Sequence, residues 1–384
     1  MINLKLTEIP YKDFYDYKIS AIFESYKWDF THSIQSTISN KVVLLTKNQL
    51  DLLKSTSIKL YNETILMEQA LKNKINLAIK MGISKKIANK ISNCEYNPKK
   101  HVRFMRFDFH PTTEGFKISE VNSDVPAGYP EASVLPILAH KYFNDYIPTE
   151  NFGNIFTNAL LSKTIKFGKI VYLHDTSCLE DYQILKFIGD LMDKKNYTSS
   201  YLHPNLLNNK LKNNRDIVAI VRYFPVEWLE FEKTDFNIFF DPNIVQANHP
   251  ICLLTQSKRL PIVWNNLDID IPTWKSFLMP TKEIDDEILK NNNYILKPSF
   301  GRIGEGINID VSLDEDKKIK KAARSFKNQW IMQKMFTSVP TDGLHITLGV
   351  FVVDGVFAGM YARTSKTPKI DKTASEIPVL VSKL

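Results

Sequence analysis

The sequence predicts a mixed α/β fold, and three observations carry that prediction. The stretch "QLDLLKSTSIKLYNETILMEQALKNKINLAIKMG" repeats apolar residues every three or four positions, the period of an amphipathic helix. The middle of the chain alternates short apolar runs with helical patterns, the order that builds a sheet covered by helices. From about residue 250 the pattern changes to strands and loops.

In chain order, residues 1–100 read mainly as a helical N-terminal region. Residues 101–165 contain a hairpin, "RFDFHPTTEGFKISEVNSD", and then "DVPAGYPEASVLPILAHKYF", which turns through Pro126, Gly128 and Pro130 into a helix. Residues 166–250 form an α/β unit, with "KIVYLHD" as a buried strand and "LEDYQILKFIGDLMDKK" as a helix. "YTSSYLH" and "DIVAIVRYF" supply two more strands of that unit. In residues 251–384 the strand signals are "YILKPSFGRIGEGINI", "WIMQKMF" and "HITLGVFVVDGVFAGMYART". The last carries an Asp-Gly turn between alternating runs, the pattern of a tight hairpin.

With 384 residues the chain can bury one large core or two to three smaller ones, and 43% hydrophobic with 24% charged residues is ordinary for a soluble protein. No apolar stretch approaches membrane-spanning length, and the start lacks the basic and apolar regions of a signal peptide, so no membrane is expected as a partner. Cys94, Cys178 and Cys252 are too few and too scattered for a disulfide framework or a zinc site, which points to a reducing cytoplasm. The net charge of +8 invites a nucleic-acid reading. The excess is spread over helix faces such as "SKKIANK" and "DEDKKIKKAARSFKN", with acids interleaved, and no zinc-finger or RNA-binding motif accompanies it. A nucleic-acid partner is therefore not expected.

The hairpin carries the first chemical signal. Side chains alternate across a strand, so Arg106, Asp108 and His110 share one face of the first strand, and Glu120 and Asn122 one face of the second. With residues 111–115 as the loop, His110 pairs with Phe116 and Arg106 with Glu120. Two carboxylates and an amide oxygen are hard ligands suited to magnesium, and Arg106 would be the fixed cation beside them, suited to phosphate oxygen. A solvated hairpin face with a rim salt bridge fits the same residues equally well. On the metal-site view, Asp108→Asn or Glu120→Gln removes a charge from the cluster but keeps its shape, so either would stop turnover with little effect on folding.

The second signal is "LKPSFGRIGEGINI", an apolar strand ending in Lys297 before a loop with Gly301, Gly304 and Gly306. Glycine lets a backbone approach a polyphosphate closely, and the lysine adds a point charge. The lysine precedes the glycines, so this is no Walker A loop. An ordinary glycine-containing turn with a surface lysine explains the loop alone.

These blocks, with "YFPVEWL", "SKRLPIVW" and "GVFVVDGVFAGMYART" in order, resemble the glutathionylspermidine synthase family. The resemblance runs from about residue 100 to the end, and more loosely through the helical start. It implies a permuted ATP-grasp fold with a pre-ATP-grasp α/β domain. It also implies that Asp108, Glu120 and Asn122 hold two magnesium ions on ATP while Arg106 stabilises the transferring γ-phosphoryl group. Lys258 and Lys297 would grip ATP, the loop around Gly304 would close over it, and Gln333 lies in the segment lining the adenine pocket. Arg363 matches an arginine that reaches the reacting phosphate, and Glu180 and Asp181 match an acidic pair contacting the amine substrate. The same two acids could equally complement the dipole of the helix that follows. Trp228 reads as packing, His110 as a hydrogen-bonding neighbour and the cysteines as small core residues. A threonine that contacts glutathione in the family's synthase falls at Val125, and the amidase domain some members carry has no room here.

The resulting expectation is a stand-alone ATP-dependent ligase that joins a small-molecule carboxylate to an amine, such as a polyamine, through an acyl phosphate. A phosphotransferase acting on a hydroxyl, or a binding protein without turnover, uses the same residues.

Overall fold

A five-stranded antiparallel sheet, ordered Ser375–Ile377, Val356–Ser365, His345–Val353, Phe104–Thr112 and Gly115–Asn122, is the element on which the other layers pack. The computed structural model describes residues 2–28, 31–32, 35–164, 167–207, 216–232, 236–287, 293–302 and 304–383. In the strand Phe104–Thr112, the first of the signature hairpin that carries Arg106, Asp108, Glu120 and Asn122, Met105, Phe107 and Phe109 point to one face, against Leu53, Leu60, Met67 and Leu71 of the helix Lys47–Leu71. The opposite face is apolar at one end only. There Phe104 and Phe351 pack with Tyr129, Phe152 and Phe156, and further along the same face come Arg106, Asp108 and His110.

The Lys47–Leu71 helix begins at a full capping box: Thr46 Oγ1 accepts from Gln49 N at 3.2 Å, and Gln49 Oε1 accepts from Thr46 N at 2.9 Å. It is shorter than the periodic pattern suggests. The helix stops at Leu71, and a turn in which Lys74 N donates to Leu71 O at 2.8 Å leads into a separate helix, Ile75–Lys80. The break spans Lys72–Lys74, and Asn73 within it is a residue type disfavoured in helix interiors. The start of the chain also holds more strand than its pattern predicts. Lys5–Glu8 and Lys41–Leu45 join Val379–Ser382 and Tyr146–Pro148 in a four-stranded sheet. "KVVLL" acquires its parallel partner from the far end of the chain, so no local pattern announces it.

The three strands and the helix read in the α/β unit are present, and Val245–Ala247 adds a fourth strand that the sequence reading missed. Lys169–Leu173, Thr198–Leu202, Ile217–Arg222 and Val245–Ala247 make a parallel sheet, packed on the helices Phe152–Lys163 and Leu179–Asp193. Val102 N donates to Gln246 O at 3.0 Å, tying this sheet to the entry of the signature hairpin. A small antiparallel sheet of Thr281–Lys282, Trp330–Lys334 and Tyr294–Pro298 packs on the helix Leu313–Ser325 through Leu296, Ile319, Ala323 and Met332. The Asp-Gly hairpin is also present: Asp354 and Gly355, with φ of 48° and 82°, form the two-residue turn between Val353 and Val356.

Among the described residues no helix is long and apolar enough to cross a membrane. Cys252 is buried, whereas Cys94 and Cys178 are half-buried, and all three are free. The core expectation therefore holds fully only for Cys252.

Candidate active site

The signature hairpin is tighter than its sequence suggests. Its loop is Thr113–Glu114, so His110 lies opposite Lys117 and not Phe116, and Arg106 opposite Asn122 and not Glu120. Between the pairs Phe107–Val121 and Phe109–Ile118 the second strand carries one extra residue. A bulge of this kind sets two residues opposite one, here Ser119 and Glu120 opposite Asp108. The shorter loop moves the register by one residue and the bulge by another. Because the side-chain period is two, the polar residues still share a face.

Arg106 is buried at 4% exposure, and its guanidinium is almost fully engaged. Nε donates to Asp108 Oδ1 at 2.7 Å and Nη2 to Asp108 Oδ2 at 3.0 Å, a bidentate pair. Nη1 donates to Ala127 O at 2.7 Å and to Tyr361 Oη at 3.0 Å. Room for this side chain comes from Gly349 on the neighbouring strand. A Cβ there would fall 2.9 Å from Arg106 Cδ and 2.9 Å from the Tyr361 ring.

Asp108 Oδ2 also accepts from Asn122 Nδ2 at 3.2 Å and from Arg363 Nη2 at 3.1 Å. Burial pushes this carboxyl up, but Arg106 and Arg363 beside it hold it below the usual carboxylate range. Burial raises the Glu120 carboxyl too, and the Lys258 ammonium, 2.9 Å away, outweighs that effect. Lys258 is thus a half-buried ion-pair partner and no ordinary surface base; its Nζ also donates to Gly301 O at 2.6 Å.

Lys297 is buried, and its Nζ donates to Gln333 Oε1 at 2.7 Å and to Ser119 O at 3.2 Å. Burial lowers its pKa to about 8 even though Glu120 stands nearby. Gln333 in turn donates to Thr281 Oγ1 at 3.0 Å, so its side chain is spent on fixing Lys297. The residues after it, Lys334, Met335 and Phe336, line a cleft together with Ile295, Ile307 and Ile309. Asp108, Glu120, Lys297, Gly304 and Arg363 line the same cleft, whose lining is thus part apolar and part charged.

His110, as read, is a hydrogen-bonding neighbour. Its Nε2 meets Ser119 Oγ at 2.9 Å and its Nδ1 meets Thr347 Oγ1 at 3.1 Å, while burial pushes its pKa down to about 4. Thr347, Tyr361 and Gly349 complete the site without having been singled out. Their one signal is a small or polar residue at an inward position of an otherwise apolar strand.

Two carboxylates on the cleft and an adjacent amide fit a magnesium ion that keeps waters and takes further ligands from phosphate oxygens. Oδ2 of Asp108 accepts three N–H groups and Oδ1 only one, which leaves Oδ1 an acceptor direction for a cation. Among the described residues no group of three or more His, Cys, Asp or Glu side chains could hold a metal ion by itself.

Glu180 and Asp181 do not join this cleft. They occupy the first turn of Leu179–Asp193, whose preceding residue Cys178 makes no side-chain cap, at the carboxyl edge of the parallel sheet. Burial pushes the Asp181 carboxyl up to about 6, and Arg302 of the glycine loop opposes that shift. Arg302 pairs with Glu227 at 3.0 Å and lies 5.0 Å from the Trp228 ring centroid. Trp228 is 44% exposed, so it is a stacking surface for Arg302 more than a packing residue. The carboxyl edge of the parallel sheet at Asp181 thus lies near Arg302 of the glycine loop.

The family model described as glutathionylspermidine synthase preATP-grasp matches residues 15–382. Among solved structures, a glutathione synthetase-like effector from Globodera pallida in its apo form matches with a TM-score of 0.59 at 11% identity, over 97% of this chain and 98% of that one. A D-cycloserine synthetase matches with a TM-score of 0.35 at 14% identity, over 55% of this chain and 71% of that one. A D-alanine–D-alanine ligase from Bacillus anthracis matches with a TM-score of 0.32 at 10% identity, over 56% of this chain and 86% of that one. No curated protein matches the sequence.

Proposed function

Because the chain belongs to the glutathionylspermidine synthase family and has its ATP-grasp type of α/β fold, we propose that it is an ATP-dependent carboxylate–amine ligase. The observation that carries this reading is the convergence of Asp108, Glu120, Lys297 and Arg363 on one cleft that Ile295, Ile307 and Ile309 also line. In the proposed reaction the carboxylate of one substrate attacks the γ-phosphorus of ATP, ADP leaves, and an acyl phosphate forms. A neutral amine then attacks the acyl carbon, phosphate leaves, and a proton is lost from nitrogen to give the amide.

The roles of the side chains follow from their surroundings. The adenine would lie against Ile295, Met335 and the isoleucines of the opposite wall, with the phosphates toward Lys297. Lys297 supplies an ammonium tied to neutral partners only, so its charge is available to the phosphates. Arg106 orients Asp108, and Arg363 stands beside Asp108, where negative charge develops on the moving phosphoryl group. Magnesium would be held by Asp108, Glu120 and Asn122 and would neutralise phosphate charge. No cysteine or serine nucleophile is required.

The second substrate belongs, on this proposal, at the carboxyl edge of the parallel sheet. Ligands of open α/β sheets bind there, and Glu180 and Asp181 would favour a cationic amine. Incubation of the protein with magnesium, ATP and a panel of acids and polyamines tests the reading. An amide, ADP and free phosphate in equal amounts are expected. A phosphorylated alcohol instead would make the protein a phosphotransferase, and absence of ADP with every pair would leave it a binding protein.

A further inference from the structure

Asn122 stands where the central sheet stops supporting it. It is the last residue of Gly115–Asn122, the edge strand of that sheet, and Arg106–Asn122 is the last pair of the hairpin. The bulge at Ser119 and Glu120 lies just before it, so the ladder is interrupted on one side of Asn122 and ends on the other. Ser123 and Asp124 follow at 0% exposure. Their N–H groups are out of reach of water and of the ladder, and need acceptors from elsewhere.

One atom meets both. Gln256 Oε1 accepts from Ser123 N at 2.7 Å and from Asp124 N at 2.8 Å, and an amide oxygen has two lone pairs for them. Gln256 ends the short helix Leu253–Gln256, directly before "SKRLPIVW" and two residues ahead of Lys258, the partner of Glu120. The other polar groups after Asn122 have partners of their own. Thr255 Oγ1 meets Ser123 Oγ at 2.7 Å, and Cys252 Sγ donates to Asp124 Oδ1 at 3.1 Å. Asn248 Nδ2 donates to the carbonyls of Ser123 and Asp124 at 3.3 and 2.8 Å. Those contacts hold the segment in the core, and Gln256 fixes its two amides.

We propose that Gln256 is a positioning residue, which clamps the end of the edge strand and so sets the direction in which Asn122 presents its amide oxygen to magnesium. The proposal rests on the ATP-dependent reading above and adds a residue that none of the sequence motifs contains. Asn122 Nδ2 donates to Asp108 Oδ2 at 3.2 Å, which leaves the amide oxygen to a cation. That bond orients the amide group alone. The backbone that carries it is oriented by the clamp, one residue further on.

Calorimetric titration of the full-length protein with ATP, once in excess magnesium and once in EDTA, tests this on wild type, Gln256→Met and Gln256→Glu. Methionine keeps the length of the side chain and removes the acceptor. Contacts behind a metal ligand typically govern metal affinity by 10- to 100-fold, so Gln256→Met should weaken ATP binding in magnesium by roughly 10-fold or more while binding in EDTA stays within about 2-fold. Gln256→Glu restores an acceptor oxygen and should recover most of the loss. Equal losses in the two media, no loss, or no recovery in Gln256→Glu overturns the positioning role, because a merely structural contact does not distinguish magnesium from EDTA. Should Gln256→Met not fold, Gln256→Asn, whose oxygen is drawn back by one methylene, is expected to show the same selective loss, and its absence there overturns the proposal equally. Failure of the wild type to bind ATP in either medium brings down the ligase reading and this proposal together. Wild-type binding that magnesium tightens, with Gln256→Met unaffected, brings down the proposal alone.

Discussion

Asp108 and Glu120 look alike in the sequence, yet their surroundings set them apart. Asp108 compensates a buried guanidinium, and its removal leaves Arg106 desolvated and unpaired. Breaking a buried pair from one side costs about 3–5 kcal/mol. Glu120 pairs with Lys258 at a site where its side chain retains 26% exposure, so the loss there is on the order of 1 kcal/mol or less. Asp108→Asn and Glu120→Gln are both expected to abolish magnesium-dependent ADP release, but only Asp108→Asn should lower the melting temperature strongly. Equal melting temperatures for the two variants would contradict the buried pair. The expectation that neutralising either acid would barely affect folding is thereby kept for Glu120 and revised for Asp108, whose burial against Arg106 the sequence did not reveal. Arg363 is more accessible. Arg363→Ala should leave ATP affinity within a few-fold and slow turnover by roughly 10²-fold or more, whereas a large affinity change with unaltered turnover would make it a ground-state binder.

At the scale of elements, the helix Leu179–Asp193 separates two roles for one pair of acids. Its first turn lacks a capping side chain, so Glu180 and Asp181 offset the exposed N–H groups and the dipole. The same acids stand where the carboxyl ends of the parallel strands open toward Arg302. Two carboxylates near a cation contribute about 1 kcal/mol each at 4 Å in water. Neutralising both, as Glu180→Gln with Asp181→Asn, should therefore raise the amine KM by at most tens-fold and leave the ATP KM alone, an effect that fades with salt. A fall in melting temperature with unaltered amine kinetics would assign the acids to the helix terminus.

At the scale of the whole molecule, Lys27, Glu131 and Glu376 connect the N-terminal region, the segment after the signature hairpin and the edge of the central sheet. Lys27 Nζ lies 2.9 Å from Glu131 and 2.6 Å from Glu376, with Lys27 and Glu131 both at 3% exposure. Burial pushes the Glu131 carboxyl up to about 7, with Lys27 opposing and Glu376 adding to the shift. A carboxyl that binds its proton more tightly when folded contributes stability below its unfolded pKa, and that contribution is lost as pH rises through the folded value. Denaturant titrations should therefore show stability falling between about pH 4.5 and 7. Glu131→Gln should flatten that slope, and an unaltered slope in the variant would exclude Glu131 as its source. Glu376 lies directly across from Arg363 in the sheet, so this buried cluster also braces the strand that carries the arginine.

Sequence alone determined what short-range periodicity and loop chemistry can encode. The amphipathic helix, three of the four parallel strands, the Asp-Gly hairpin and the set Arg106, Asp108, Glu120 and Asn122 were legible because each is written within a few dozen neighbouring residues. Alternation also placed the acids on one face, and it did so despite a wrong register, because two one-residue displacements cancel in a period of two. Tertiary structure decided everything that depends on partners distant in the chain. The pairing of Lys41–Leu45 with Val379–Ser382, the glycine that makes room for Arg106, and the burial that separates Asp108 from Glu120 all arise between segments far apart in sequence.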